Sequence, residues 1–358
     1  MKFLGVEAAR GVAALLVVIL HASAMLADPK DYGVLPFGGL FRFGHAGVDF
    51  FFVLSGFIIT YVHANEVGAR HRLPAYVWKR FARIYPTYWI VTAILGTILI
   101  FSPTHGRTEQ QLATILTSVF LLPTIETPIL GVAWSLKHEI LFYGLFSLLF
   151  LDRRLGVSAL AIWGTLISFN IFMSWTTGTP YFSGIAGDLI FRIFNIEFFF
   201  GIFVAILVVR RSLPYPRLAL AAGTVLFFGN GVLESWGPDY PIEWPPRHLA
   251  YAAGSALALY GLVGAEAAQK IRIPTALLAL GTASYSLYLL HVIAILIVQQ
   301  AARLLPHVMP MQAELTLLFF VGAAIASALA FCHLVEQPLL RIFRKLPAIF
   351  APRLETPR

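Results

Sequence analysis

Long apolar stretches dominate this sequence, and they restrict the fold more than any single motif does. Of the 358 residues, 58% are hydrophobic and 12% are charged, whereas soluble domains have about 25% charged residues. A helix of roughly 20 apolar residues is long enough to cross the hydrocarbon core of a membrane. We therefore predict an all-α, polytopic membrane bundle of about ten transmembrane helices, at residues 5–26, 46–64, 84–101, 134–151, 156–173, 189–209, 216–233, 248–265, 274–301 and 312–335.

The basic residues favour one orientation of these spans. If the N-terminus is cytoplasmic, most of the 26 lysines and arginines fall in inside segments, as the positive-inside rule requires. We therefore predict that both termini are cytoplasmic, that residues 1–340 form one membrane domain, and that residues 341–358 form a short basic tail. Topology then accounts for the net charge of +8, and the placement of the charge argues against nucleic-acid binding.

Two segments leave an alternative open. The apolar stretch 111–122 is short, so we interpret it as an interfacial or re-entrant helix on the outer face. The N-terminal run, followed by Ala-Ser-Ala at 22–24, also fits a cleaved signal peptide, but Glu7 and the even number of spans favour its retention. The single cysteine, Cys332, excludes an intramolecular disulfide and a cysteine-based metal site, and we predict no metal site.

The first span carries two ionisable residues, Arg10 and His21. Eleven residues advance an α-helix by three turns plus about 20°, so both side chains project from nearly one face, roughly 16 Å apart along the axis. A charge within the membrane costs on the order of 2.5–3.5 kcal/mol, so such a pair indicates a functional site. His21 is a candidate general base. Alternatively, Arg10 snorkels to the interface and pairs with Glu7, while His21 caps the outer end of the helix.

The second span contains Asp49 close to its outer end. This carboxylate could orient His21 or pair with a basic residue of a loop. Further along the same span, Ser55 and Gly56 permit a close approach of another helix or a kink. A nucleophilic role for Ser55 is possible, but the sequence places no base beside it.

Two arginines, Arg80 and Arg83, lie three residues apart just before the third span and share one helix face. They are either topogenic charges or a phosphate clamp, because arginine forks match phosphate oxygens. Glu336, near the inner face after the tenth span, could pair with either of them.

Two further helices present polar stripes. Ser135, Glu139 and Tyr143 recur at i+4 spacing, and such a stripe faces the bundle interior rather than lipid. Glu139 there binds a substrate hydroxyl or holds helices together. On the ninth span, Tyr288 and His291 share a face, and His291 is either a second candidate for acid–base chemistry or a structural residue.

Six motifs, taken in order, resemble the acyltransferase 3 family of integral-membrane acyltransferases, and the resemblance covers almost the whole chain. The nearest type is the exopolysaccharide and O-antigen O-acetyltransferases. The motifs are Arg-x10-His at 10–21, Gly-Val-Asp-Phe-Phe-Phe-Val-Leu-Ser-Gly-Phe at 47–57, Arg-x-x-Arg-Ile-Tyr-Pro at 80–86, Trp-Ser-Leu-x-x-Glu at 134–139, Ser-Tyr-Ser-Leu-Tyr-Leu-Leu-His at 284–291 and Glu-Gln-Pro at 336–338.

The resemblance implies an acyl-CoA-dependent O-acyltransferase of the bacterial plasma (inner) membrane. Such enzymes move an acyl group, commonly acetyl, from cytoplasmic acyl-CoA to a hydroxyl of an extracytoplasmic or lipid-linked saccharide. The implied partners are acyl-CoA as donor substrate, the saccharide and membrane lipid, with no tightly bound cofactor. His21 is implied as the catalytic base and Arg10 as required for activity, while Arg80 and Arg83 contact the phosphates of CoA.

We add the hypothesis that the pantetheine arm enters the bundle and that Arg10 or Tyr288 stabilises the oxyanion. The predicted site residues are, for catalysis, His21, Arg10, Asp49 and Glu139 and, for donor binding, Arg80, Arg83, Tyr288 and His291. A proton-coupled transporter or exporter of saccharides is the alternative function. The lack of an internal repeat and the clustering of arginines at one mouth disfavour it. The acceptor, the acyl group and the oligomeric state stay open.

Overall fold

The computed structural model describes residues 3–100, 112–124, 127–210, 213–237, 244–268, 272–304 and 312–350. These residues are mainly helical and contain no β-strand, which confirms the all-α class. The helices, numbered in chain order, are α1 (Leu4–Leu26), α2 (Ala46–His63), α3 (Leu73–Ile100), α4 (Leu112–Val119), α5 (Trp134–Leu151), α6 (Arg153–Thr177), α7 (Glu197–Val209), α8 (Pro216–Trp236), α9 (Pro245–Ala267), α10 (Thr275–Thr282), α11 (Ser284–Leu304), α12 (Ala313–Phe331) and α13 (Gln337–Phe350).

Eight helical segments of the described residues are long and apolar enough to cross a membrane. The polytopic membrane class is thereby confirmed, although the predicted number was about ten. The two other predicted spans, 84–101 and 134–151, coincide with α3 and α5. Both are helical, but charged residues that line an internal cavity make them more polar than the other eight.

The helices differ in how far they are buried. The segment that contains α2 is 67% buried, whereas α6 and α8 are only 22% buried. Apolar side chains that do not pack inside the protein face the hydrocarbon of the bilayer in a membrane protein. α2 is therefore central in the bundle, and α6 and α8 lie at its lipid-facing periphery.

Local sequence explains several helix boundaries. A single residue, Asp152, separates α5 from α6, and its carboxylate accepts a hydrogen bond of 2.9 Å from the backbone N–H of Leu155. This side-chain cap satisfies one of the free donors at the start of α6. At the other end, Gly178 takes the left-handed conformation (φ 76°) that commonly ends a helix.

The structure differs from the predicted spans at two points. α3 begins at Leu73 rather than near residue 84, so Pro86 lies inside the helix, where it cannot donate to the carbonyl four residues earlier. The predicted span 274–301 is broken at Ala283 into α10 and α11. The short apolar stretch 111–122 does contain a short helix, α4, and its side of the membrane stays a prediction.

Small residues bring α2 and α7 into backbone contact. A Cβ on Gly56 would collide with the carbonyl oxygen of Phe198, and a Cβ on Gly201 would collide with that of Val53. The close approach predicted at Ser55-Gly56 is therefore confirmed, with α7 as the partner. This contact fixes the position of Ser55 relative to the centre of the bundle.

A π-helical turn at Cys332–Glu336 joins α12 to α13. The predicted boundary between the membrane domain and the tail, at 340/341, falls inside α13, and residues 351–358 lie outside the described part of the chain. Trp78 Nε1 donates a hydrogen bond of 2.9 Å to the Phe343 carbonyl, and the two rings stack at 5.8 Å. These contacts hold α13 against the first half of α3.

Candidate active site

A cavity of about 980 Å³ lies inside the bundle, with walls from α1, α2, α3, α5, α11 and α13. Its size is near the upper end of the roughly 300–1,000 Å³ typical of small-molecule and cofactor sites. Three of the eight predicted site residues, His21, Asp49 and His291, do not line it. The predicted residues that line it are Arg10, Arg80, Arg83, Glu139 and Tyr288.

One end of the cavity, here called the basic end, is formed by Lys79, Arg80 and Arg344 together with the stacked rings of Trp78 and Phe343. Arg344 belongs to the basic tail predicted at residues 341–358, where its charge was attributed to topology alone. The signal for its role was the alternation of apolar and basic residues after Glu-Gln-Pro, which indicates an amphipathic helix.

The three predicted arginines of this cavity differ in how far they are already paired. Arg83 Nη1 donates to Glu336 Oε1 at 2.7 Å, and its guanidinium lies 4.8 Å from the centre of the Tyr285 ring. The predicted pairing of Glu336 with Arg80 or Arg83 is thus confirmed for Arg83. Glu336 also accepts a hydrogen bond of 2.5 Å from Ser286, so this corner is an ion pair with its own supporting contact.

Arg80 and Arg10 are not paired in this way. Within the described residues, neither makes a hydrogen bond or an ion pair, and Arg80 Nε is buried without a partner. The Arg80 guanidinium lies 5.6 Å from the centre of the Tyr143 ring. Arg10 does not pair with Glu7, whose Oε1 accepts from the Thr282 hydroxyl at 2.5 Å. Two guanidinium groups are therefore available to a ligand in the cavity.

Glu139 forms a polar network with two neighbours. Ser55 Oγ donates to Glu139 Oε1 at 3.2 Å, and the Tyr143 hydroxyl donates to the same oxygen. The predicted stripe on α5 therefore faces the interior, as expected. Glu139 is half-buried, because one side of it faces the cavity.

Tyr288 lines the cavity with its ring, but its hydroxyl is occupied. It donates to the Val132 carbonyl at 2.8 Å and lies 2.8 Å from Ser135 Oγ. A phenol has one proton to donate, so the hydroxyl that was a candidate oxyanion donor instead anchors α11 to the turn before α5. Tyr288 is thus a wall residue whose hydroxyl has a structural partner.

His21 and His291 form a contact that the sequence did not predict. The two rings lie 4.9 Å apart between centroids, and His291 Nε2 is 3.3 Å from His21 Nδ1. His291 is fully buried, whereas His21 is half-buried. The Tyr288 ring, at 6.3 Å from that of His291, connects this histidine pair to the cavity.

Arg10 and His21 lie in different regions of the structure. α1 is continuous from Leu4 to Leu26, so the two residues are separated by about 16 Å along its axis. Helical side chains lean towards the N-terminus, which points Arg10 away from His21. Its charged neighbours are Arg83, Glu336, Glu7 and Glu139. This separation is inconsistent with Arg10 stabilising an oxyanion beside His21.

Asp49 does not orient His21, and that prediction is corrected here. Its Oδ1 accepts a hydrogen bond of 2.6 Å from His248 Nδ1, and its Oδ2 is 3.8 Å from His45 Nδ1. His45 Nε2 in turn contacts Glu234 at 2.7 Å. These residues, together with Glu197, form what we call the Asp49 cluster.

The Asp49 cluster lies where α2, α7 and α9 begin. Ligand atoms of Asp49, Glu197 and His248 all lie within 4.8 Å of one another, a spacing that a metal ion could bridge. However, His248 Nδ1 already bonds Asp49, and helix N-termini stabilise carboxylates without a cation. This cluster could not be read from the sequence, because its members lie on four helices, α2, α7, α8 and α9, and at His45 just before α2.

Comparison with known proteins shows similarity over most of the chain. A family described as an acyltransferase domain matches residues 3–335. The exopolysaccharide production protein ExoZ of Rhizobium meliloti (strain 1021) is 29% identical over 321 residues, which cover 85% of this chain and 92% of ExoZ. Protein 2 in picA locus of Rhizobium radiobacter is 31% identical over 101 residues, covering 28% of this chain and 47% of that protein. No solved structure matches.

Proposed function

The chain belongs to the acyltransferase 3 family and is a membrane acyltransferase, and on that premise we propose that it takes an acetyl group from cytoplasmic acyl-CoA. The acceptor is a hydroxyl of an extracytoplasmic saccharide. The similarity to ExoZ, whose name describes exopolysaccharide production, supports an exopolysaccharide or its lipid-linked precursor as that acceptor.

The observation that carries the proposal is the cavity with its two uncommitted guanidinium groups. Arg80 and Arg10 are half-buried and make no ion pair among the described residues; an unpaired cation in a protein interior is costly, so both favour an anionic ligand. Arginine forks bind phosphate oxygens in bidentate geometry, and CoA carries a pyrophosphate and a 3′-phosphate. The basic end of the cavity suits the nucleotide part of CoA. Its inner wall suits the pantetheine arm, because Phe51, Phe52 and Tyr288 line it.

The positive-inside pattern favours a cytoplasmic location for the basic end, where acyl-CoA is found. The acyl group then has to reach His21, which lies beyond the cavity wall. The path proposed here runs between Phe51 and Tyr288, whose ring centroids are 6.0 Å apart. Phe51 is only partly buried and packs against three apolar clusters of the described residues, so a movement of this ring opens the wall without breaking a hydrogen bond.

The chemistry proposed for His21 is general-base catalysis. Nε2 takes the proton of the acceptor hydroxyl as its oxygen bonds to the thioester carbonyl carbon. The tetrahedral intermediate then breaks its carbon–sulfur bond, and the proton passes from Nε2 to the CoA sulfur. The products are the acylated saccharide and CoA with a free thiol, so atoms and charge balance in a single transfer.

A donor-binding experiment tests the proposal. Purified protein in detergent should gain thermal stability on addition of acetyl-CoA, and Arg80→Ala should reduce that gain. Lys345→Ala is the matched control, because Lys345 is an exposed cation that does not line the cavity. A saccharide carrier would ignore acetyl-CoA, and a wild-type protein with no stabilisation by acetyl-CoA would contradict the proposed function.

A further inference from the structure

Backbone carbonyl oxygens beside His21 and His291 determine which nitrogen of each ring carries a proton. His21 Nδ1 lies 2.9 Å from the Val17 carbonyl oxygen, and His291 Nδ1 lies 3.0 Å from the Leu287 carbonyl oxygen. A carbonyl oxygen only accepts hydrogen bonds, so both Nδ1 atoms carry hydrogen. In the neutral ring, Nε2 then holds the lone pair.

The lone pair of His291 has one partner in the described structure. Its Nε2 faces the Nδ1–H of His21 at 3.3 Å, so that hydrogen is shared between the Val17 carbonyl and His291. The lone pair of His21 is left on the opposite side of its ring, at Nε2. This is the nitrogen that a general base needs.

Burial separates the roles of the two histidines. His291 is 0% exposed, and its Nε2 is already turned towards His21, so it has no free atom for a substrate. His21 is half-buried, and its Nε2 has no hydrogen-bond partner among the described residues. Only His21 can therefore meet the acceptor.

We propose that His291 is a positioning residue for His21, which holds the His21 ring as the Nδ1–H tautomer and stabilises its imidazolium form during transfer. This inference rests on the proposed function, in which His21 is the base. When His21 Nε2 takes the acceptor proton, its Nδ1–H becomes a stronger donor to both Val17 and His291. When that proton moves on to the CoA sulfur, both rings are neutral again.

A neutral partner suits this location. In the Ser-His-Asp triad, a carboxylate orients the histidine and stabilises its cation. A carboxylate here would lie against the apolar cluster formed by residues such as Val18, Ala22, Leu287 and Ile295, where an unpaired charge is costly. The lone pair of a second imidazole accepts the same Nδ1–H without adding a charge.

Two substitutions of His291 test the inference. Glutamine can place its carbonyl oxygen near the position of Nε2, whereas phenylalanine keeps the ring shape and has no acceptor. We expect His291→Phe to lower kcat on the order of 10²-fold, the lower end of what general-base catalysis contributes, and His291→Gln to retain most of kcat. The KM for acetyl-CoA should be unchanged in both, because His291 does not line the donor cavity.

The steady-state assay follows release of the CoA thiol with acetyl-CoA and exopolysaccharide from an unacetylated strain. Thermal stabilisation by acetyl-CoA is measured on the same preparations to show that each variant is folded. Equal kcat values for the phenylalanine and glutamine variants, or a loss confined to KM, would overturn the role of His291. If wild-type protein releases no thiol, or if His21→Ala keeps full activity, the proposed function fails instead.

Discussion

The donor cavity with its histidine pair and the Asp49 cluster use similar residues in opposite ways. In the Asp49 cluster, His248 bonds Asp49, His45 bonds Glu234, and Arg247 contacts Glu234 at 3.2 Å. In the cavity region, and among the described residues, neither Arg80 nor Arg10 forms an ion pair, and His21 bonds only a carbonyl and another histidine. An ionisable group inside a membrane protein is thus available for chemistry only when the protein has not already paired it.

Removal of the base should give the largest effect and the sharpest contrast between the regions. His21→Ala should lower kcat by roughly 10²–10⁴-fold, the contribution of a general base, with protein still inserted. His45→Ala is the matched substitution in the Asp49 cluster, and it should lower the Tm while kcat per folded molecule is kept. Thiol release and Tm, measured on both variants, check this. Loss of kcat in His45→Ala, with kcat kept in His21→Ala, would contradict this comparison.

Removal of a carboxylate should destabilise the Asp49 cluster without affecting chemistry. Asp49→Ala removes the 2.6 Å hydrogen-bond partner of His248 Nδ1 and leaves Glu197 Oε1 at 3.7 Å from that nitrogen; loss of a hydrogen bond to a charged group costs about 1.5–3 kcal/mol. We expect a marked fall of the Tm in detergent and an unchanged kcat for the fraction that stays folded. An unchanged Tm combined with loss of kcat would return Asp49 to the catalytic residues.

The two classes of arginine can be compared directly. Arg80→Ala should weaken acetyl-CoA binding by about 10-fold or more, because a hydrogen bond to a charged group contributes about 1.5–3 kcal/mol. The Tm of the unliganded protein should be almost unchanged, because no carboxylate loses an ion-pair partner when Arg80 is replaced. Arg247→Ala should instead lower the Tm and leave the affinity for acetyl-CoA almost unchanged. Isothermal titration and thermal unfolding of both variants measure this, and equal effects on affinity would remove the distinction.

The smallest expected effect concerns the basic end of the cavity. Arg344 and Arg341 are both exposed on α13, but only Arg344 lines the cavity. Arg344 lies eight residues beyond Glu336, about 12 Å along a helix, which suits the 3′-phosphate at the far end of CoA. Arg344→Ala should weaken CoA binding about two- to fivefold, within the range of an exposed ion pair, and Arg341→Ala should not.

A truncated ligand sharpens this last test. For 3′-dephospho-CoA, which lacks the phosphate, the affinities of wild type and Arg344→Ala should coincide. If the arginine variant weakens both ligands equally, Arg344 acts on the cavity as a whole and not on that phosphate. If neither ligand distinguishes Arg344→Ala from Arg341→Ala, α13 contributes no charge to the site.

Much of the fold could be read from the sequence, because length and hydropathy of each helix are local properties. Arg10 and His21 were correctly placed on one continuous helix, and the stripe through Glu139 was correctly predicted to face inwards. The break at Ala283 was missed because residues 274–301 contain no lysine, arginine, aspartate or glutamate to interrupt the span, and only the packing of α10 against α1 reveals it. There, a Cβ on Gly11 would lie 2.8 Å from the backbone nitrogen of Gly281.

The partners of the site residues were harder to predict than their faces. Helical periodicity tells which side of α2 bears Asp49, but it does not tell that α7 and α9, rather than α1, supply its neighbours. For the same reason, His291 was found as a polar residue on a membrane helix, and its contact with His21 was not. The pairing of Arg83 with Glu336 was anticipated, because both were expected at the same face of the membrane.

The π-helical turn between α12 and α13 has a consequence for insertions and deletions. A wider turn accommodates one extra residue in the helical repeat, and each residue of an α-helix corresponds to about 100° of rotation. Loss of one residue within Cys332–Glu336 would close the turn to an ordinary α-helical turn and keep the rotational phase of α13, whereas insertion of a further residue there would rotate everything after it. After such an insertion, Glu336 would turn away from Arg83, and Arg344 away from the cavity mouth. The chain length of this short segment, as much as its chemistry, therefore sets the angular register between the two walls that face the donor.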